Sequence, residues 1–187
     1  MSFPMNQGKK LAKATSMKRL SVRVKWLRSA SQFAHHNLAE NAPHTAGLTV
    51  ANKCWSGEGL ADICEYNRGS EGGKKMAVDL RKLGGEIMEL HAEEYSKQKT
   101  KNGRAMTLRN TTNQFCEMLI TFSNAVHNDP EAGGDDYDQC ALEAARKFAE
   151  KNGITPMAVT RHNDEGSLHY QLLFTAMDMR EGCKPVA

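Results

Sequence analysis

The sequence predicts an α+β fold, in which a mainly antiparallel sheet carries helices packed on it. Two observations support this prediction. Several short segments alternate apolar and polar residues, which is the period of a half-buried strand, and longer segments repeat apolar residues at helical spacing. In addition, the last two strand patterns are joined by a turn that contains Gly166-Ser167, and a hairpin of this kind pairs its strands antiparallel.

Taken in order, the elements alternate between strand and helix. We expect strands at residues 19–27, 47–53, 114–123 and in the two arms of the hairpin, 157–162 and 168–175. We expect helices at residues 29–39, 72–98 and 136–151. Gly84-Gly85 is expected to interrupt the second helix, because glycine lowers helix stability, and Asn152-Gly153 to end the third.

Length and composition indicate one compact domain. A chain of 187 residues can bury a sizeable core. It has neither a long apolar run nor an apolar segment after its first lysines, so we expect no membrane span and no secretory signal. The five cysteines lack CxxC spacing, which is typical of reduced thiols and therefore of a cytoplasmic protein.

The net charge of +3 conceals a strong asymmetry along the chain. Eight basic residues, from Lys9 to Arg28, come before the first acidic residue, Glu40. Residues 1–18 therefore form a basic arm that leads into the first strand, and such an arm is typical of phosphate binding, although a solvated tail has the same composition. The residues that we expect to contact DNA here are Lys9, Lys10, Lys13, Lys18, Arg19, Arg23 and Lys25.

The hairpin carries the most informative cluster of polar residues. Successive strand side chains point to opposite faces, so His169 and Gln171 share one face. Pairing across the turn could bring His162 beside them and Glu165 to the rim. Nitrogen and oxygen donors without thiolate suit Mn²⁺, Mg²⁺, Zn²⁺ or Ni²⁺, and we expect Mn²⁺ or Mg²⁺. The other interpretation is a polar hairpin whose histidines only form hydrogen bonds.

This segment resembles the metal-binding motif of the HUH endonucleases, and most closely that of the Mob/Pre (MobV-type) plasmid relaxases, His-x-Asp-Glu-x-x-Pro-His-x-His. His162, Asp164-Glu165 and His169 match the motif, whereas Leu168 replaces its proline and Gln171 replaces its last histidine. The resemblance implies an HUH relaxase-like sandwich fold. It also implies that His162, Glu165 and His169 bind a divalent metal ion, with Gln171 as a weaker oxygen donor.

A second motif lies upstream. Mob/Pre relaxases have a His-Asn pair at the end of an early helix and a later segment with another Asn; His36-Asn37 and Asn52 match these positions. The resemblance implies that His36, with His35 as the fallback, attacks the DNA 5′ phosphate to form a phosphoramidate, and that Asn37 and Asn52 bind DNA. The family usually has an Arg shortly after the pair, where this chain has Ala39-Glu40. A solvated helix end would also explain the two histidines.

The resemblance, which covers about residues 18–178, implies a relaxase. Such an enzyme nicks single-stranded DNA at a plasmid or mobile-element transfer origin and works in conjugation with relaxosome or coupling proteins. We expect the nuclease domain to span residues 19–180 and residues 181–187 to form a tail that leads to a C-terminal region absent from this sequence.

Three alternatives stay open. The first is a rolling-circle replication initiator or a transposase of the same superfamily, which would attack through a tyrosine. The chain has Tyr66, Tyr95, Tyr137 and Tyr170, but the replication initiators place their tyrosine on a helix after the metal motif, where this chain has none. The second is a cleavage-deficient DNA-binding protein with the same fold. The third is an unrelated His-rich metal-binding domain.

Overall fold

The computed structural model of the protein describes residues 20–40, 51–123, 134–163, 168–178 and 184–185. Its central element is a six-stranded antiparallel sheet with the strand order β1-β4-β6-β5-β2-β3. The strands are β1 (Leu20–Leu27), β2 (Asn52–Ser56), β3 (Asp62–Tyr66), β4 (Phe115–Phe122), β5 (Pro156–His162) and β6 (His169–Thr175). A two-stranded ribbon joins β7 (Met177–Asp178) to β8 (Lys184–Pro185).

Helices pack on both faces of this sheet. They are α1 (Ser31–Ala34), which continues into a π-helical turn (His35–Ala39), α2 (Glu71–Ser96) and α3 (Gly134–Asn152), and a short 3-10 turn covers Glu58–Leu60. On one face, called the site face below, Phe33, Leu38 and Leu80 pack against sheet residues such as Phe115 and Leu173. On the opposite face, α3 forms the second core with β5 and β6. The α+β prediction is therefore confirmed.

Glycines let α2 approach the segment that carries His36. A Cβ atom added to Gly84 would lie 2.7 Å from the Cβ of Ala30, and one added to Gly73 would overlap the carbonyl oxygen of Leu38. Glycine is needed at these two contacts because any larger residue would push α2 away from α1 and the π-helical turn. The predicted interruption at Gly84-Gly85 is wrong, since α2 is continuous through both residues.

Three strands differ from what the sequence predicted. Strand β1 lies where the sequence placed it, but the alternating apolar side chains that precede Leu27 are exposed, with Val22 at 51% and Trp26 at 37%. The reason is that β1 is an edge strand and α3 packs over β5 and β6 instead. The strand expected at residues 47–53 is described only from residue 51, and β2 begins at Asn52. The sequence did not predict β3, whose last residue, Tyr66, was expected in a polar loop.

The hairpin formed by β5 and β6 is confirmed, with one irregularity. Val159, Arg161 and the residues opposite them follow the predicted alternation, but the register shifts between Pro156 and Ala158. This β-bulge places Met157 in the core of the site face together with Ala158, although strict alternation had assigned Met157 to the face of Val159. Within the described residues, no helix is both long and apolar enough to cross a bilayer.

Candidate active site

The two histidines of the hairpin lie side by side on the site face. His162 and His169 are direct cross-strand partners, and their rings are stacked with centroids 4.8 Å apart and planes 4° apart. Both are buried, and Gln171 lies two residues further along β6, opposite Thr160. The sequence prediction that these side chains share a face is therefore confirmed. Asp164 and Glu165 lie outside the described residues, so the place of Glu165 at the rim stays a prediction.

Hydrogen bonds orient the His162 ring. Its Nε2 lies 2.8 Å from Oδ1 of Asn37 and 3.3 Å from Oγ1 of Thr160. The Thr160 hydroxyl donates its hydrogen to the carbonyl of Gln171, and the Asn37 amide nitrogen donates to the carbonyl of Phe33, so both present acceptor oxygens to the ring. Nε2 is therefore the ring nitrogen that donates in these contacts, and in the neutral ring Nδ1 would be the nitrogen that binds a metal ion.

The donor set fits a divalent cation. Two adjacent imidazoles and the nearby Gln171 amide supply nitrogen and oxygen donors without thiolate, and the second ring nitrogen of His162 is oriented by hydrogen bonds, as is usual for metal ligands. Among the described residues, no three His, Cys, Asp or Glu side chains come together. The predicted set would be completed by Glu165, which those residues do not include.

A cleft opens on the site face next to this pair. Its volume is about 380 Å³. The residues that line this His36 cleft are Arg23 and Lys25 of β1, His36, Glu117 and Leu119 of β4, and Gln171 of β6. Arg23 and Lys25 are exposed, whereas Gln171 is buried. Gln171 therefore belongs to both the predicted ligand set and the cleft, and two cations stand where a phosphate could enter.

His36 has a partner that the sequence did not reveal. Its Nδ1 lies 3.1 Å from Oε2 of Glu40, one helical turn further along the chain. In the neutral ring, Nδ1 donates its hydrogen to this carboxylate and Nε2 keeps the lone pair. Glu40 occupies the region in which the Mob/Pre pattern has arginine. His35 is exposed as well, but it is not among the residues that line the cleft.

Asn37 and Asn52 are buried residues that hold the segment around His162. We expected both to contact DNA, but their side chains are fully buried. Besides holding His162, Asn37 accepts a hydrogen bond from the Tyr66 hydroxyl at its carbonyl. Oδ1 of Asn52 accepts from the backbone nitrogen of Asn163, 2.7 Å away and just after His162. Both asparagines therefore anchor the segment that carries His162, and their contact with DNA stays a prediction.

Glu117 is a site residue that sequence reasoning missed. It is half-buried on β4, with its side chain on the site face. Burial raises the pKa of its carboxyl group, and the neighbouring Lys25, His36 and Asn37 side chains oppose that rise. One signal could have identified it: Glu117 is the one charged residue within the apolar segment Phe115–Phe122.

A buried ionic cluster supports the hairpin from the opposite face. Nη1 of Arg161 lies 3.0 and 2.9 Å from the two carboxylate oxygens of Asp138 on α3, and the Tyr170 hydroxyl donates to the same carboxylate over 2.7 Å. Arg161 and Tyr170 are cross-strand partners directly adjacent to the pair of His162 and His169. This Asp138 cluster therefore fixes the end of the hairpin at which the histidines lie.

None of the four tyrosines lines the His36 cleft. Tyr170 is buried on the opposite face, as the alternation predicted, and Tyr66 is buried under the π-helical turn. Tyr137 packs against Phe122, and Tyr95 lies on α2. The described part of the chain therefore offers His36, and no tyrosine, as the nucleophilic side chain in the cleft. The lysines of the arm and Arg19 lie outside the described residues.

No protein-family model matches the chain, and no curated protein or solved structure is significantly similar to it. The likeness to the Mob/Pre relaxases therefore depends on the two short motifs.

Proposed function

We propose that this protein is a relaxase-like, metal-dependent DNA strand transferase, which nicks single-stranded DNA and becomes joined to the 5′ phosphate through His36. One observation carries the proposal. The stacked pair of His162 and His169 lies on the same sheet face as the cleft containing His36, Arg23 and Lys25, and Gln171, two residues along β6 from His169, lines that cleft. Nucleophile, phosphate-binding cations and metal-type ligands are the groups that phosphoryl transfer requires.

Each group has a defined task in this mechanism. Arg23 and Lys25 attract the DNA backbone and place a phosphodiester in the cleft. Nε2 of His36 attacks phosphorus, while Glu40 holds Nδ1 and accepts its proton as positive charge develops on the ring. A divalent ion, Mn²⁺ or Mg²⁺, bound by His162, His169 and Glu165 with Gln171 as a further oxygen donor, would supply charge neutralisation at the non-bridging oxygens.

The substrate would be single-stranded or origin DNA of a plasmid or mobile element. Such DNA is found in the cytoplasm, where relaxosome or coupling proteins would be the partners. Retention of the 5′ end on His36 would allow the nicked strand to be resealed later by attack of the 3′ hydroxyl on the phosphoramidate. The bond between His36 and the 5′ phosphorus would form during nicking and break during resealing, at the same site.

A cleavage-deficient DNA-binding protein is the second candidate. It is favoured by Gln171, which stands where the motif has a third histidine and which binds metal less strongly than imidazole. A rolling-circle initiator or transposase that uses tyrosine is less well supported, because no tyrosine lines the cleft. A histidine-rich metal-binding domain without DNA activity would explain the stacked pair but not Arg23 and Lys25.

The test is covalent trapping. The protein is incubated with Mn²⁺ or Mg²⁺ and single-stranded oligonucleotides that tile the DNA next to its gene, and adducts are resolved on a denaturing gel. We expect an adduct with the wild type, none with His36→Ala, and a normal yield with the matched control His35→Ala. DNA and metal binding should persist in His36→Ala, because the phosphate-binding groups remain.

The chemistry of the adduct identifies the nucleophile. A phosphoramidate is labile in acid and more stable in base, so acid should release the nucleotide, and mass spectrometry should place it on His36. A nucleotide on Tyr66 or Tyr95 would overturn the histidine mechanism. If DNA binds but no metal supports an adduct, the binding-only candidate is correct.

Metal binding is tested separately. His169→Ala should lose the bound ion and metal-dependent cleavage. The fold should be retained, because His169 is the first residue of β6 and belongs to neither hydrophobic core. Elemental analysis of the purified variant measures the stoichiometry, and circular dichroism checks the fold. An undiminished metal content would remove His169 from the ligand set.

A further inference from the structure

We propose that Glu117 is the general acid of this site, which protonates the 3′ oxygen when it leaves the scissile phosphate and removes that proton again when the strand is resealed. The proposal rests on the proposed function, because it assigns a proton transfer within the same strand-transfer reaction. No part of the Mob/Pre motifs includes a residue from this strand.

The first argument is position. Glu117 lies on β4 between Lys25 of β1 and Leu173 of β6, and its side chain points to the site face. Together with His36 and Gln171 it lines the His36 cleft, and it is the one carboxyl group among the described residues that do so. A phosphodiester attacked by His36 in this cleft would therefore be within the space that Glu117 also borders.

The second argument is electrostatic. Burial raises the pKa of the Glu117 carboxyl group, so its protonated form persists to higher pH than that of an exposed glutamate. Lys25, His36 and the hydrogen bond from the Asn37 amide act in the opposite direction, and Arg23 lines the same cleft. A bound phosphodiester would offset these cations with its own negative charge, whereas the divalent ion of the proposed function would act in the same direction as they do. The direction set by burial favours the proton-donating form of this carboxyl group over that of an exposed glutamate.

The third argument is the chemical need. An alkoxide is a poor leaving group, and the step requires a proton donor or a cation at the 3′ oxygen. In the proposed step, Nε2 of His36 forms a bond to phosphorus as the phosphorus–O3′ bond breaks. The proton of the Glu117 carboxyl group passes to O3′, and the Nδ1 proton of His36 passes to Glu40. The products are a phosphohistidine, a free 3′ hydroxyl and the Glu117 carboxylate, which is the base required for resealing.

The experiment compares two oligonucleotides in single-turnover cleavage. One has the normal bridging 3′ oxygen at the nick site, and the other has sulfur there, because a thiolate leaves without a proton. Glu117→Gln should slow cleavage of the oxygen substrate by about 10²–10⁴-fold, the usual contribution of a general acid, and should cleave the sulfur substrate at nearly the wild-type rate. Glu65→Gln, an exposed glutamate on the edge strand β3, is the matched control.

The outcomes separate this proposal from the proposed function. If the wild type forms no adduct with either substrate, the strand-transferase function fails. If the wild type cleaves and Glu117→Gln is unaffected, or is slowed equally on both substrates, the general-acid role is overturned while the function stands. Thermal unfolding and oligonucleotide affinity of Glu117→Gln should match the wild type. The wild-type rate should fall as pH rises through the Glu117 pKa, and this pH dependence should disappear in Glu117→Gln.

Discussion

Replacement of Asp138 by Ala should destabilise the protein more than any single exposed substitution. Asp138 is 4% exposed, and its carboxylate binds Nη1 of Arg161 at 2.9 and 3.0 Å and accepts a hydrogen bond from Tyr170 at 2.7 Å. Nζ of Lys53 lies 3.5 Å from the same carboxylate. The Asp138 side chain of α3 therefore holds three groups, from Arg161, Tyr170 and Lys53, on the sheet face opposite the histidine pair.

The expected loss of unfolding free energy follows from the buried charge that Asp138→Ala would leave without its partner. The Arg161 side chain is 12% exposed, so its charge would remain largely buried after its carboxylate partner is removed. Breaking a buried ion pair from one side costs about 3–5 kcal/mol. Tyr170→Phe removes a single hydrogen bond to a charged acceptor, which is worth about 1.5–3 kcal/mol. Asp138→Asn keeps acceptor oxygen but loses the charge, so its cost should lie between these two.

Urea unfolding followed by circular dichroism measures these differences. We expect the midpoints to fall in the order wild type, Tyr170→Phe, Asp138→Asn and Asp138→Ala, with an unchanged slope m. Glu143→Ala is the matched control, because Glu143 is an exposed acidic residue on the same helix whose partner is Lys147. A loss below about 1 kcal/mol for Asp138→Ala would contradict the buried-pair argument, since that is the range of surface pairs.

Two further predictions concern pH and salt. Burial lowers the pKa of His91, against the opposing hydrogen bond to Gln114, so the unfolded chain binds a proton more readily than the folded one. Its stabilising contribution should be complete above the unfolded pKa of about 6.5 and lost as pH falls through the folded value; His91→Gln should flatten this dependence in unfolding measured from pH 7.5 to 5. Deletion of residues 1–18 should reduce the slope of log affinity against log salt by about 0.7 per lost contact to single-stranded DNA, and an unchanged slope would show that the arm is a solvated tail.

The hairpin could be predicted because its information is local. The alternation on either side of the turn sets the faces of His162, His169 and Gln171, and the short connection sets their pairing. Thr160 and Glu117 were not recognised as site residues, although Thr160 lies opposite Gln171 and Glu117 lies opposite Lys25, which were. Their relation to the site depends on which strands pair, and β4 joins β6 across almost fifty residues of intervening chain, which no local pattern records.

Polar residues caused the other differences. Asparagine is usually a surface residue, so nothing in the sequence indicated that Asn37 and Asn52 are buried. Their polar side chains can be buried because they bond to His162 and to the backbone of Asn163. The opposite case is β1, whose apolar alternation predicted burial of Trp26 and its neighbours, because a sequence pattern does not show which part of a sheet a helix covers. The parts played by Glu165 and the basic arm stay predictions.

The bulge at Met157 has a consequence for how the site could vary in evolution. Side-chain direction in a strand alternates with every residue, so an insertion or deletion normally reverses all positions beyond it. The bulge already accommodates one extra residue between Pro156 and Ala158, at the opposite end of β5 from His162. Changes in the length of the connection from α3 can therefore be absorbed there. The side-chain directions from Ala158 to His162 would then stay the same. Homologues should therefore tolerate length variation before Ala158 but not after it.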